Sequence, residues 1–197
     1  MRYALRFLLV ICLAVPAFAA SNVADLVQKH KGLTLGEAKS ASGFQYWGHA
    51  VKAVSQEDIW IQEAFAEYSS ALFMKEAGRP NDYNRAFGLW KSAAKDESDV
   101  TNIPMATRLV NPGDPYSLFA ARNGLVYSKG AYLLAALHRE LGDEQFLTFL
   151  KSYQRSFRGK YATTADVMGL LQFMTKKDYA PFFEQYYYGM AVPDVKK

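Results

Sequence analysis

Cysteine and histidine are scarce in this chain of 197 residues, which contains one cysteine and three histidines. A single cysteine, Cys12, excludes a disulfide within the chain. The histidines are His30, His49 and His138, and no two of them are four residues apart. Because residues four apart share one face of a helix, no helix of this chain can present two imidazoles one turn apart.

Long apolar runs are also missing. The most prominent run, residues 7–15, follows Arg2 and Arg6 and leads into Ala17-Phe18-Ala19, a small-residue cleavage pattern. It is too short for the roughly 20 apolar residues that a membrane-spanning helix needs. The sequence therefore predicts a signal peptide over residues 1–19, a secreted or periplasmic location, and no membrane span.

The balance of charge is close to neutral. Lysine and arginine number 23 against 19 acidic residues, and the predicted signal peptide contains two of the arginines. The basic residues are scattered, which excludes the clustered positive surface of a nucleic-acid-binding protein. After the signal we expect a short segment of uncertain origin over residues 20–43 and one domain over residues 44–197.

Apolar residues recur at helical spacing through most of this domain, and alternation typical of strands is rare, so the fold class is predicted to be mainly α. Gly142 should separate two antiparallel helices. Thr163 or Thr164 should cap a further helix, with Asp166 placed to complete a capping box. Residues 95–118 contain Pro104 and the turn-forming run Asn-Pro-Gly-Asp-Pro at 111–115, and they show no clear period, so they are expected to form a long irregular loop. The predicted helices cover residues 58–77, 81–94, 124–141, 143–156, 163–173 and 178–188.

Two segments carry a family resemblance. Residues 45–49 read Gln-Tyr-Trp-Gly-His, and residues 58–68 read Asp-Ile-Trp-Ile-Gln-Glu-Ala-Phe-Ala-Glu-Tyr. The pair resembles the membrane alanyl aminopeptidase family of gluzincin zinc peptidases. The resemblance implies the helical half of a thermolysin-like gluzincin catalytic domain, with Glu63 in the position of the third zinc ligand.

Further motifs follow in the family's order. Residues 126–131 read Val-Tyr-Ser-Lys-Gly-Ala, and residues 182–189 read Phe-Phe-Glu-Gln-Tyr-Tyr-Tyr-Gly. The resemblance covers residues 44–193 and implies zinc as the family's cofactor and a peptide as substrate. It places Tyr127 as the residue that stabilises the oxyanion of the tetrahedral intermediate, a task that suits a phenol hydroxyl.

One part of the family pattern is absent. The H-E-x-x-H zinc motif should occupy residues 40–44, where this chain reads Ser-Ala-Ser-Gly-Phe. Two zinc histidines and the general-base glutamate are therefore missing, and a zinc site with one carboxylate lacks the three protein ligands that catalytic zinc takes. We expect no zinc to be bound by this chain alone.

Three interpretations remain open. The chain is a truncated or catalytically impaired relative of a zinc aminopeptidase, a non-enzymatic helical module, or an active peptidase when a separate chain supplies the H-E-x-x-H half. In the second case, apolar surface left uncovered would bind a protein partner or mediate self-association.

The remaining conspicuous side chains have structural explanations. We expect Asp58 and Glu67 to face solvent, His49 to be a hydrogen-bonded structural histidine, and His30 and His138 to lie on polar helix faces without a role. Four aromatic side chains are predicted to lie in the core: Trp47, Trp60, Phe65 and Phe73.

Overall fold

The structure is a computed structural model that describes Trp47 and residues 50–98, 101–108 and 122–195. Within these residues the chain is mainly helical, which confirms the predicted fold class. The predicted signal peptide, the segment 20–43, residues 40–44 and both His30 and His49 lie outside the described residues. No helix in the described ranges is long and apolar enough to cross a bilayer.

The first long helix, α1, covers Trp60–Glu76 and follows a 3₁₀ turn over Glu57–Ile59. The second, α2, covers Pro80–Ser98. It begins at a proline, which suits the first turn because the amide there has no partner within the helix. Both helices were predicted, although α2 extends four residues beyond its expected end.

A short helix, α3, covers Ile103–Arg108 inside the stretch that was predicted to be an irregular loop, so that part of the prediction is wrong. Pro104 was interpreted as a helix breaker, but it lies in the first turn, where a missing N–H costs nothing. The Oδ1 atom of Asn102 accepts a hydrogen bond from the amide of Met105 at 2.8 Å and so caps the helix. Residues 109–121 lie outside the described residues.

The next helical segment begins as a π-helix over Arg122–Lys129 and continues as α4 over Gly130–Phe157. Gly142 interrupts α4 with φ 73° and ψ 165°, a conformation that glycine adopts without the steric cost of a Cβ. The predicted break at this residue is confirmed.

The first half of α4 lies along α1. A Cβ atom built on Gly130 would lie 2.7 Å from the Cβ of Ala64. Two turns further on, the Nδ1 atom of His138 lies 2.8 Å from the Tyr68 hydroxyl. Residue numbers therefore increase in the same direction along both helices.

The second half of α4 returns along the same helix. The Phe146 ring packs edge-on against Tyr68, and the Tyr153 ring lies 5.2 Å from Phe65. Residue numbers therefore increase in opposite directions along α1 and the second half of α4. Because the first half of α4 runs in the same direction as α1, the two halves of α4 are antiparallel. The predicted antiparallel pair is confirmed.

Two strands of two residues each, β1 over Lys52–Ala53 and β2 over Tyr161–Ala162, pair in parallel. Strands this short leave no alternating pattern, and the sequence did not predict them. Helix α5, Thr164–Thr175, carries the predicted capping box, and the last helix, α6, covers Ala180–Tyr186.

The core is aromatic. All four side chains predicted to be buried are buried, with exposed fractions from 0% for Trp60 to 7% for Phe73. Tyr153 is in ring contact with Trp47 and Phe65 at the centre of this cluster. Large exposed apolar side chains, among them Leu89 and Phe173, lie on different helices.

Candidate functional site

Glu63 lies in the first turn of α1, where its side chain is half-buried. Its Oε2 atom is shielded from solvent. The residue directly after it, Ala64, is fully buried against the start of α4. Glu63 therefore lies in the turn of α1 that packs against the start of α4.

Tyr127 lies in the π-helix, three residues before Gly130, and is also half-buried. Gly130 approaches α1 closely because it lacks a side chain: a Cβ there would lie 2.7 Å from Ala64 and 3.5 Å from the Trp60 ring. The structure thus packs together the two elements that carry Glu63 and Tyr127. π-helical turns are rare and occur often at functional sites.

Lys129, which the sequence offered only as part of a motif, is fully buried at the end of the π-helix. Its Nζ atom donates a hydrogen bond to the carbonyl oxygen of Gly189 at 3.1 Å. Burial lowers the pKa of this ammonium to about 8. Nearby, the side-chain amide of Asn102 donates to the carbonyl of Tyr188, so the segment after α6 is attached to both the π-helix and α3.

Asp58 is buried, not solvent-facing as predicted. Its Oδ1 atom accepts hydrogen bonds from the amide of Thr164 at 2.7 Å and from the Thr164 hydroxyl at 3.0 Å, and its Oδ2 accepts from Ser55 at 2.7 Å. The Thr164 oxygen in turn accepts the indole N–H of Trp60 at 2.9 Å. The prediction was wrong because this partner comes from a helix 106 residues away.

Glu67 is half-buried, so its prediction as a solvated residue is also wrong. Its Oε1 atom accepts a hydrogen bond from the indole N–H of Trp90 at 3.1 Å. This contact joins α1 to α2. A charged acceptor for a buried indole donor satisfies a group that would otherwise lose its hydrogen bond on folding.

His138 was predicted to lie on a polar helix face without a role, and this prediction is wrong. Its side chain is 14% exposed and stacks on Phe146 with ring centroids 4.2 Å apart. Its Nδ1 atom lies 2.8 Å from the Tyr68 hydroxyl, and its Nε2 atom lies 2.9 Å from Oδ1 of Asp143. Burial lowers the pKa of this imidazole, although Asp143 opposes the shift.

The described residues do not provide a zinc site. Catalytic zinc takes three protein ligands, usually imidazole nitrogens and one carboxylate. Within the described ranges, no three histidine, cysteine, aspartate or glutamate side chains lie close enough together to hold a metal ion. At the two positions where the family resemblance predicts the zinc histidines, the sequence has Ser40 and Phe44.

Residues 43–186 match the peptidase family M1 domain. Similar curated proteins include glutamyl aminopeptidase of Sus scrofa, 27% identical over 65% of this chain and 14% of its own length. Aminopeptidase N of Lactococcus lactis is 28% identical over 71% of this chain and 17% of its own length. The chain spans less than a fifth of either relative.

Solved structures show the same fold. An M1 zinc metallopeptidase from Deinococcus radiodurans, bound to the substrate Tyr-Ser-Ala, superposes with a TM-score of 0.62 at 20% identity, over 83% of this chain and 34% of the other. Native yeast LTA4 hydrolase superposes with a TM-score of 0.61 at 21% identity, over 79% of this chain and 26% of the other. The described helices are therefore arranged as in part of these enzymes.

Proposed function

Because the chain belongs to peptidase family M1, we propose that it is a metallopeptidase-like protein that keeps the helical half of a zinc aminopeptidase catalytic domain but forms no hydrolytic centre by itself. The observation that carries this proposal is the ligand set. The resemblance assigns one zinc ligand, Glu63 on α1, yet the chain has no two histidines one helical turn apart. A single carboxylate holds zinc too weakly to acidify a bound water.

The direct test is the metal content of the purified protein after dialysis against zinc and then against buffer. We expect elemental analysis to find much less than one zinc per chain. We also expect no hydrolysis of amino acid amides that have a free α-amino group. A Glu63→Gln variant should show the same metal content as the parent. One zinc retained per parent chain, and lost from Glu63→Gln, would contradict the proposal.

The retained positions of Glu63 and Tyr127 favour a second candidate function. The start of α4, directly after the π-helix, packs on α1 in a chain without an H-E-x-x-H motif, and this packing supports a half-site that another chain would complete. A separate polypeptide carrying the two histidines and the glutamate would then complete a peptidase. In that complex, Glu63 would be a zinc ligand, and the Tyr127 hydroxyl would donate a hydrogen bond to the oxyanion.

Co-expression with a polypeptide that carries the H-E-x-x-H half tests this candidate. Activity should appear only when both chains are present, and Tyr127→Phe should reduce the turnover rate by about 100-fold, as expected for loss of one oxyanion donor. The matched control for Glu63→Gln is Glu184→Gln, which makes the same change at an exposed position of α6. Activity that survives Glu63→Gln would exclude this site.

We also propose that residues 1–19 direct export, which rests on the two arginines, the apolar run and the Ala-Phe-Ala sequence. N-terminal sequencing of the protein recovered from the extracytoplasmic fraction should begin at Ala20. Recovery of the uncleaved chain from the cytoplasm would contradict export.

A further inference from the structure

A second site is suggested by an open pocket of about 510 Å³ between the later turns of α1, the first turns of α2 and the Gly142 turn. Its size falls within the range of sites for small organic molecules. One wall is aromatic and includes Tyr68, Tyr83 and Phe87. We call it the His138 pocket, because His138 also lines it.

The His138 pocket is remote from Glu63. Lys75, which lines the pocket, lies twelve residues after Glu63 on the same helix, or about 18 Å along its axis. The pocket therefore shares α1 with Glu63, but a ligand held at Lys75 lies several helical turns away from Glu63. The pocket needs an explanation of its own.

Charges of both signs line the pocket. Lys75 places its Nζ atom 5.5 Å from the centre of the Tyr83 ring, and Arg139 is a second cation of the lining. Asp143 provides a carboxylate at the Gly142 turn. Asp143 raises the pKa of His138 and Lys75 lowers it, so both charged groups act electrostatically on this imidazole.

The Asp143 carboxylate is 64% exposed, and it contacts an imidazole whose own position is fixed. The Nε2 atom of His138 lies 2.9 Å from Oδ1 of Asp143, and its Nδ1 atom lies 2.8 Å from the buried Tyr68 hydroxyl. Stacking on Phe146 fixes the imidazole plane. A preorganised carboxylate loses little conformational entropy when it binds a cation, which favours binding.

We propose that the His138 pocket binds a free α-amino acid with an apolar side chain. The ligand's carboxylate contacts Lys75 and Arg139, its ammonium group contacts Asp143, and its side chain packs on the aromatic wall. Two cations, one carboxylate and an apolar surface match the groups of such a zwitterion. A simple carboxylate would leave Asp143 without a ligand partner, and a simple amine would leave Lys75 without one.

Calorimetric titration of the purified protein with three related compounds tests the ligand class. L-phenylalanine should bind saturably, with a dissociation constant on the order of 1 mM. 3-Phenylpropionate, which lacks the ammonium, and phenethylamine, which lacks the carboxylate, should each bind at least tenfold more weakly. Equal affinity for L-phenylalanine and either analogue would overturn the proposal, as would absence of saturable binding by L-phenylalanine.

Two variants locate the binding. Lys75→Met removes a charge from the pocket and keeps an apolar stem, and it should weaken L-phenylalanine and 3-phenylpropionate about tenfold while leaving phenethylamine unchanged. Arg85→Met removes an exposed charge on α2 that does not line the pocket, and it should change none of the three affinities. If both variants bind L-phenylalanine as the parent does, the pocket is not the site.

Discussion

Gly130 and Ala64 bring α4 and α1 into backbone-level contact: a Cβ built on Gly130 would lie 2.7 Å from the Cβ of Ala64. Real Cβ atoms essentially never approach so closely. The contact decides how near the π-helix can come to the helix that carries Glu63. It is therefore the position at which the packing of the site is most easily disturbed.

Gly130→Ala should destabilise the protein by about 2 kcal/mol, because the added methyl group forces α1 and α4 apart in a close-packed core. The measurement is the urea concentration at the midpoint of unfolding, provided that the free energy of unfolding depends on urea with the same slope in parent and variant. Gly88→Ala is the matched control, since a Cβ at this exposed position of α2 meets nothing within 4 Å. It should stabilise by about 0.5–1 kcal/mol through helix propensity. Equal destabilisation by both would show that the contact is not tight.

Asp58→Ala should destabilise by about 3 kcal/mol, because it leaves the amide and hydroxyl of Thr164 buried without their acceptor. The loss should be visible as a lower thermal midpoint and as exposure of the Trp60 indole. Asp96→Ala removes an exposed carboxylate of α2 and should change stability by less than about 0.5 kcal/mol. A loss similar to that of Asp96→Ala would show that the Thr164 donors find another acceptor.

Stability should depend on the charge of Lys129. The pKa of this lysine is about 8 in the folded protein, below its ordinary value near 10.5, so between these values the unfolded chain binds more protons than the folded chain. The free energy of unfolding therefore rises as pH increases through this window. We expect an increase between about pH 8 and 9.5, below the range in which tyrosines with raised pKa values would reverse it.

Lys129→Met should abolish this increase, since no proton is then released on folding. Lys95→Met, at an exposed position of α2, should keep it. Chemical unfolding of the three proteins at several pH values provides the comparison. An unchanged slope in Lys129→Met would mean that the ammonium is solvated in the folded protein.

The lowered pKa of His138 predicts how the free energy of unfolding changes at acidic pH. Its pKa is lowered in the folded protein by burial, so below its ordinary value near 6.5 the unfolded chain takes up a proton more readily than the folded chain. Stability contributed by the neutral imidazole is present above about pH 6.5 and is lost as pH falls through the folded pKa. His138→Gln should therefore lose less stability than the parent between about pH 7.5 and 5.5, as measured by urea unfolding. A parent and variant that lose the same amount would contradict this.

Local sequence patterns were sufficient to predict the described helices other than α3. The capping box of Thr163 and Asp166 and the break at Gly142 are formed by neighbours in sequence, and both were predicted. Helix α3 was missed because Pro104 was judged by its type, whereas its position in the first turn removes the cost of its missing N–H. The family motifs named Glu63 and Tyr127, and their zinc and oxyanion roles remain predictions.

The amino-acid sequence by itself determined the helical class, the aromatic core and the absence of two imidazoles one turn apart, since each depends on spacing along the chain. Only the tertiary structure decided that Asp58 binds a helix 106 residues away and that His138 is enclosed between Tyr68 and Asp143. Burial and hydrogen bonding of these polar groups depend on partners from distant segments. Such partners leave no periodic pattern around the residue that they satisfy.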